Sequence, residues 1–106
     1  MTDTQTAWVA GLFEGEGSIH IRPTQRGVVL SLSSTDLDIL NRLQELTGGL
    51  IRQKIRRSAP AHWKPIWEWK LHSISQTKAL LNSLLPYFGE RRACKTLDAL
   101  DQLDRI

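Results

Sequence analysis

The chain has one cysteine, Cys94, among its 106 residues. A lone thiol excludes an internal disulfide and a cysteine-based zinc site, and a buried, inert side chain is the role expected of it. The histidines, His20, His62 and His72, are too scattered for a helix-borne ligand pair. No apolar run approaches the roughly 20 residues of a membrane span. The start, MTDTQTAW, lacks the basic-then-apolar order of a secretory signal. An intracellular, soluble protein is expected. Repeats, linkers and low-complexity stretches are also missing, so residues 1–106 read as one domain with a modest core.

Positive charge is absent from the beginning of the chain and concentrated later. Before Arg22 there is no lysine or arginine, while Asp3, Glu14 and Glu16 are present. Residues 51–70 then carry Arg52, Lys54, Arg56, Arg57, Lys64 and Lys70 against Glu68 alone. The net charge of +3 is only suggestive, but this local excess is a candidate surface for a polyanion.

Hydrophobic periodicity assigns these charges to faces. A helix is expected from about Thr4 to Glu16, followed by a strand in which Ile19 and Ile21 alternate with Ser18, His20 and Arg22. Pro23 to Gly27 makes a turn, and Val28 to Ser34 returns as a second strand. Ser34 or Thr35 can cap a helix built on Leu37, Leu40, Leu43 and Leu46, which Gly48 and Gly49 stop. A third strand is expected over Leu50 to Arg57 and a fourth over Ile66 to His72, separated by the proline-containing SAPAHWKP. Helices at about Ile74–Leu85 and Glu90–Leu103 complete the chain, with Pro86 and Gly89 between them.

The order is an αββαββα unit of the α+β class with a four-stranded antiparallel sheet. One face of that sheet is apolar and packs on helices. Trp67 and Trp69 belong to that face, and Trp8 packs the first helix on the domain. The other face carries Ser18, His20, Arg22, Ser31, Ser33, Arg52, Lys54, Arg56, Glu68, Lys70 and His72, with Arg26 in the first turn. Cations interleaved with short hydrogen-bonding groups suit phosphates and base edges in a DNA major groove. A merely solvated sheet face is the alternative.

The first helix ends in WVAGLFEGEG, residues Trp8 to Gly17, and breaks two local rules. Ala7, Gly11 and Gly15 recur at four-residue spacing, so they share one face and permit another backbone to come close. Glycine in a helix interior costs about 1 kcal/mol relative to alanine, so folding alone does not explain them. Glu14 and Glu16 sit in the last turn, at the negative end of the helix dipole, where a cation is better by about 0.3–1 kcal/mol. Gly17 is expected as a C-cap with positive φ. Two such helices side by side would bring acids together, and a divalent metal would relieve their repulsion.

This stretch resembles the LAGLIDADG motif of homing endonucleases: Val9 to Gly17 run in register with its nine letters, with glutamate at both acidic positions and valine at the first. The family's topology is the αββαββα order with a saddle-shaped sheet. The resemblance implies a homodimer, because there is one motif, with Ala7, Gly11, Leu12 and Gly15 at the helix–helix interface. It implies Mg²⁺-dependent hydrolysis of both strands of a long pseudo-palindromic double-stranded DNA site, and mobility of the encoding gene or intron. Glu16 corresponds to the metal-binding acid, with Gly15 offering a backbone carbonyl. Glu14 corresponds to an acid that serves structure near the helix end. Asp36 falls where the family presents a polar residue to the reacting water, or is simply a first-turn acid. The basic active-site position points to Arg91 or Arg92. A non-cutting binder on the same scaffold, an RNA maturase or a DNA-binding regulator, is the second reading. A small interaction domain dimerising through its glycine helix is the third.

Overall fold

The computed structural model describes residues 1–22, 27–55, 60 and 63–105. Helix α1 (Asp3–Glu16) starts one residue earlier than periodicity alone indicates. The reason is a capping box: Gln5 N donates to Thr2 Oγ1 at 3.1 Å, and Thr2 N donates to Gln5 Oε1 at 2.8 Å. Strand β1 (Gly17–Arg22) follows with no intervening residue, and β2 (Gly27–Ser34) pairs with it antiparallel. Helix α2 (Leu37–Thr47), strands β3 (Leu50–Lys54) and β4 (Ile66–Leu71) and helix α3 (Ile74–Leu84) come next. A short 3₁₀ turn through Pro86 leads to α4 (Glu90–Asp104).

The strands form one open antiparallel sheet in the order β1-β2-β4-β3, as the α+β assignment requires. Its inner face and the helices share one core, in which Phe13, Leu30, Leu32, Leu40, Leu43, Trp69, Leu71, Leu81 and Leu84 are fully buried. Each such side chain contributes about 1.5–3 kcal/mol relative to exposure. Trp69 joins three elements: its ring meets Phe13 of α1 edge-on at 5.6 Å, and its Nε1 donates to Gly48 O at 2.8 Å. Trp67 is half-buried against the same core. Trp8 packs there too, with the Arg42 guanidinium 4.6 Å above its ring.

Several expectations need correction. β3 ends at Lys54 with Ile55 already outside it, because its ladder closes on Ile66 and Pro65 before that residue has no N–H to extend it; Arg56 and Arg57, expected in this strand, lie outside the described residues. The α2 cap is Asp36, one residue later than expected; Ser34 Oγ instead accepts from Asp36 N at 3.0 Å. Gly17 has φ −77° and is already extended, so it is not a left-handed cap. Its need for glycine is steric: a Cβ there would collide with the ring and backbone of Phe13. Positive φ occurs instead at Gly48 (81°) and Gly49 (96°), where the chain reverses from α2 into β3. Cys94 is exposed, because α4 turns Thr96, Ala99, Leu100 and Leu103 to the core and leaves Cys94 off that stripe. Among the described residues no helix is long and apolar enough to cross a membrane.

Candidate metal site and nucleic-acid interface

α1 buries Thr6, Val9, Ala10 and Phe13 and turns Ala7, Gly11 and Gly15 to the exterior. A Cβ built on Gly11 or Gly15 would meet nothing within 4 Å. Neither glycine is therefore required by packing within the chain. Leu12, at the border of this face, is half-buried against the chain's own core.

The two acids at the helix end have different surroundings, since residues two apart on a helix do not share a face. Glu14 turns toward α4. Its Oε1 lies 3.0 Å from where a Cβ on Gly89, the α4 N-cap, would stand, and Arg92 Nε is 4.0 Å from its Oε2. Arg92 also donates through Nη1 to Gly17 O at 2.9 Å and through Nη2 to Glu14 O at 3.4 Å. The arginine is only 14% exposed. α4 thus supplies the cation that the last turn of α1 lacks.

Glu16 is exposed, and no described ion pair engages it. It borders an open depression of about 440 Å³ together with Ser33, Ser34, Thr35 and Asp36. Asp36 is also exposed, and its carboxylate makes no hydrogen bond to the helix it caps. The fold thus brings Glu16 and Asp36 to one depression. Arg91 lies elsewhere: it borders a hollow on the α4 side of the α1–β1 junction, with Gly17, Ser18, Arg92, Lys95 and Asp98.

The described residues contain no group of three His, Cys, Asp or Glu able to hold a metal ion. Magnesium does not demand such a cage: a hard cation that keeps several waters is commonly held by one or two carboxylates and the substrate's phosphates. An exposed Glu16 with Asp36 at the same depression, and the Gly15 carbonyl in the adjoining turn, fit that chemistry.

The outer sheet face is built by register. Ser18, Ser31, Lys70 and Leu50 lie in one row across the four strands, and Ser33, Glu68 and Arg52 lie in the next. His20 and Arg22 extend the face along β1, Lys54 along β3, and His72 stands just beyond β4. Arg26 and Arg56, also expected here, lie outside the described residues. Glu68 sits among cations: Lys70 Nζ at 3.5 Å, Lys54 Nζ at 3.8 Å and Arg52 Nη2 at 3.9 Å. Leu50, 72% exposed, also belongs to this face; its parity with Arg52 and Lys54 was the available signal. It borders a hollow of about 330 Å³ with Arg52, Glu68, Lys70 and His72. Arg92 was recognisable as a basic residue near the last helix, but its partners are 75 and 78 positions away and no spacing reveals them.

A family model described as a LAGLIDADG-like domain matches residues 3–85. The fold is similar to that of the homing endonuclease I-CvuI, solved with its target in the presence of Ca, at TM-score 0.71 and 20% identity over 96% of this chain and 67% of that one. The archaeal intron-encoded homing endonuclease I-Vdi141I, complexed with DNA, matches at TM-score 0.69 and 19% identity over 96% and 68% of the two chains. The group I intron-encoded homing endonuclease I-CeuI, also complexed with DNA, matches at TM-score 0.69 and 15% identity over 97% and 55%. The chain thus spans about two thirds of the length of I-CvuI and I-Vdi141I and little more than half of I-CeuI. No curated protein matches it.

Proposed function

Because the chain belongs to the LAGLIDADG-like domain family, we propose that it is a site-specific, divalent-metal-dependent DNA endonuclease that cuts both strands of a pseudo-palindromic site as a homodimer. The observation that carries this reading is Glu16: an acid in the least favourable helical position, exposed and without an ion pair among the described residues, at the end of a face that carries open glycines. Such a residue weakens the monomer and gains a purpose only when something cationic arrives. Two α1 faces, packed through Ala7, Gly11 and Gly15 with Leu12 at the rim, would place two copies of Glu16 over neighbouring phosphates.

Glu16 and the Gly15 carbonyl would hold Mg²⁺, with Asp36 at the same depression. The ion, when bound, polarises the phosphate and favours the attacking hydroxide. Asp36, free of its helix, orients the water. Glu14 and Arg92 keep the α1–β1 junction in place. Arg91, outside the depression, acts on flanking phosphate as a fixed positive charge, since guanidinium does not deprotonate near neutrality. Ser18, His20, Arg22, Ser31, Ser33, Arg52, Lys54, Lys70 and His72 would meet the major groove. Residues 1–106 act as one domain, inside the cell that holds the DNA, and intron mobility is the outcome such breaks serve.

That Arg92 is engaged by α1, and that no cation among the described residues lines the Glu16 depression, favours a second reading, a non-cutting binder of DNA or RNA on this scaffold. Cleavage of a randomised duplex library in Mg²⁺ separates the two. Dyad-related breaks that vanish with EDTA and with Glu16→Gln are expected for the endonuclease. Specific retention without breaks would select the binder.

A further inference from the structure

Three cations converge on one glutamate at the centre of the outer sheet face. Register makes this unavoidable: Arg52 is the direct cross-strand partner of Glu68, Lys70 is two residues along the same strand, and Lys54 is two residues along β3. The Glu68 side chain is 13% exposed, whereas Arg52 and Lys54 are 74% and 51% exposed. A single cation suffices to pair one carboxylate. Contacts of 3.5 to 3.9 Å to partners that water reaches contribute little to folding, so stability does not explain the cluster. Its field does. An acid within 4 Å of three cations competes with phosphate for each of them and leaves the patch with two net positive charges instead of three.

We propose that Glu68 is a built-in counter-ion that restrains the cationic sheet face, lowering its affinity for arbitrary duplex DNA so that binding depends on base contacts. The inference rests on the DNA-binding reading above. Binding phosphate to Arg52, Lys54 or Lys70 requires loosening it from Glu68, and only a site that also satisfies the neighbouring Ser31, Ser33 and Leu50 returns that loss. Glu68 is in this sense a specificity-determining residue that acts by opposing the wrong sequences.

The test is the affinity of the full chain for a mixed-sequence DNA duplex in EDTA, across a salt series, for wild type, Glu68→Gln and Glu45→Gln. Glu45 is an exposed acid on α2, so its variant makes the same change in net charge on the helical side. Freeing about one further phosphate contact steepens the salt slope by about 0.9 and tightens binding roughly five- to tenfold near 0.1 M salt. That result is expected for Glu68→Gln, with less than a twofold change for Glu45→Gln. Glu68→Asp keeps the charge but withdraws it by one methylene, and an intermediate gain is expected; this variant decides the matter if Glu68→Gln does not fold. Equal gains from Glu68→Gln and Glu45→Gln would overturn the proposal in favour of net charge. No gain, with wild type bound, would overturn it while leaving the DNA-binding reading intact. Failure of every variant to bind duplex would overturn both.

Discussion

At the end of α1 one arginine holds an acid and two backbone carbonyls, and on the outer sheet face one glutamate stands among three cations. The arrangements are formally alike and physically different. Arg92 is 14% exposed and bonds to backbone carbonyls as well as to Glu14, so it fastens α4 to the α1–β1 junction. Among the described ion pairs Glu68 meets side-chain charges that are themselves partly solvated, so it shapes a field across two strands already joined by their backbone ladder. Among the described residues the acidic end also keeps one charge unanswered, Glu16, whereas each described sheet cation near Glu68 is matched to it. The counter-charge therefore builds a rigid platform in one region and moderates an adhesive surface in the other.

Substitutions at the two regions sharpen this contrast. Glu16→Gln removes the proposed metal ligand, and several kcal/mol of charge stabilisation corresponds to a loss of about a thousandfold in cleavage rate. Thermal unfolding should show its Tm unchanged or raised, because no ion pair among the described residues is lost. Arg92→Met should behave in the opposite sense. It removes two charge-assisted hydrogen bonds from a nearly buried group and is expected to lower stability by about 3 kcal/mol in a urea titration. Gly17→Ala forces a Cβ into Phe13 and should cost about 2 kcal/mol in the same titration. Gly11→Ala meets open space, so the isolated chain should gain about 1 kcal/mol, while sedimentation equilibrium shows weaker self-association. A Gly11 variant both stabler and fully dimeric would break the assignment of that face.

The element order and the two sheet faces were legible in the sequence because they rest on period and parity. Ile19 and Ile21 go in and Ser18 and His20 go out, as alternation dictates. The acidic pair was legible because it violates a local preference for cations. What escaped depends on three-dimensional contacts that period and parity do not announce. Gly17 is glycine for the sake of Phe13 and not of its own φ, and the Arg92 clamp reaches back across most of the chain. Where β3 ends is set by Pro65, just before its partner strand. The cation cluster was visible as composition, but its organisation around Glu68 appears only once β3 and β4 are in register.

The central claim is that two copies of Glu16, one from each protomer, serve the two strands of one DNA site. It is tested most directly by mixing wild type and Glu16→Gln subunits on a supercoiled plasmid bearing the site recovered from the library. Random pairing makes about half of the dimers mixed at equal proportions. The account predicts nicked circles that peak at that ratio and vanish with either pure subunit. A product series containing only linear and uncut plasmid, in proportion to the wild-type fraction, would contradict it.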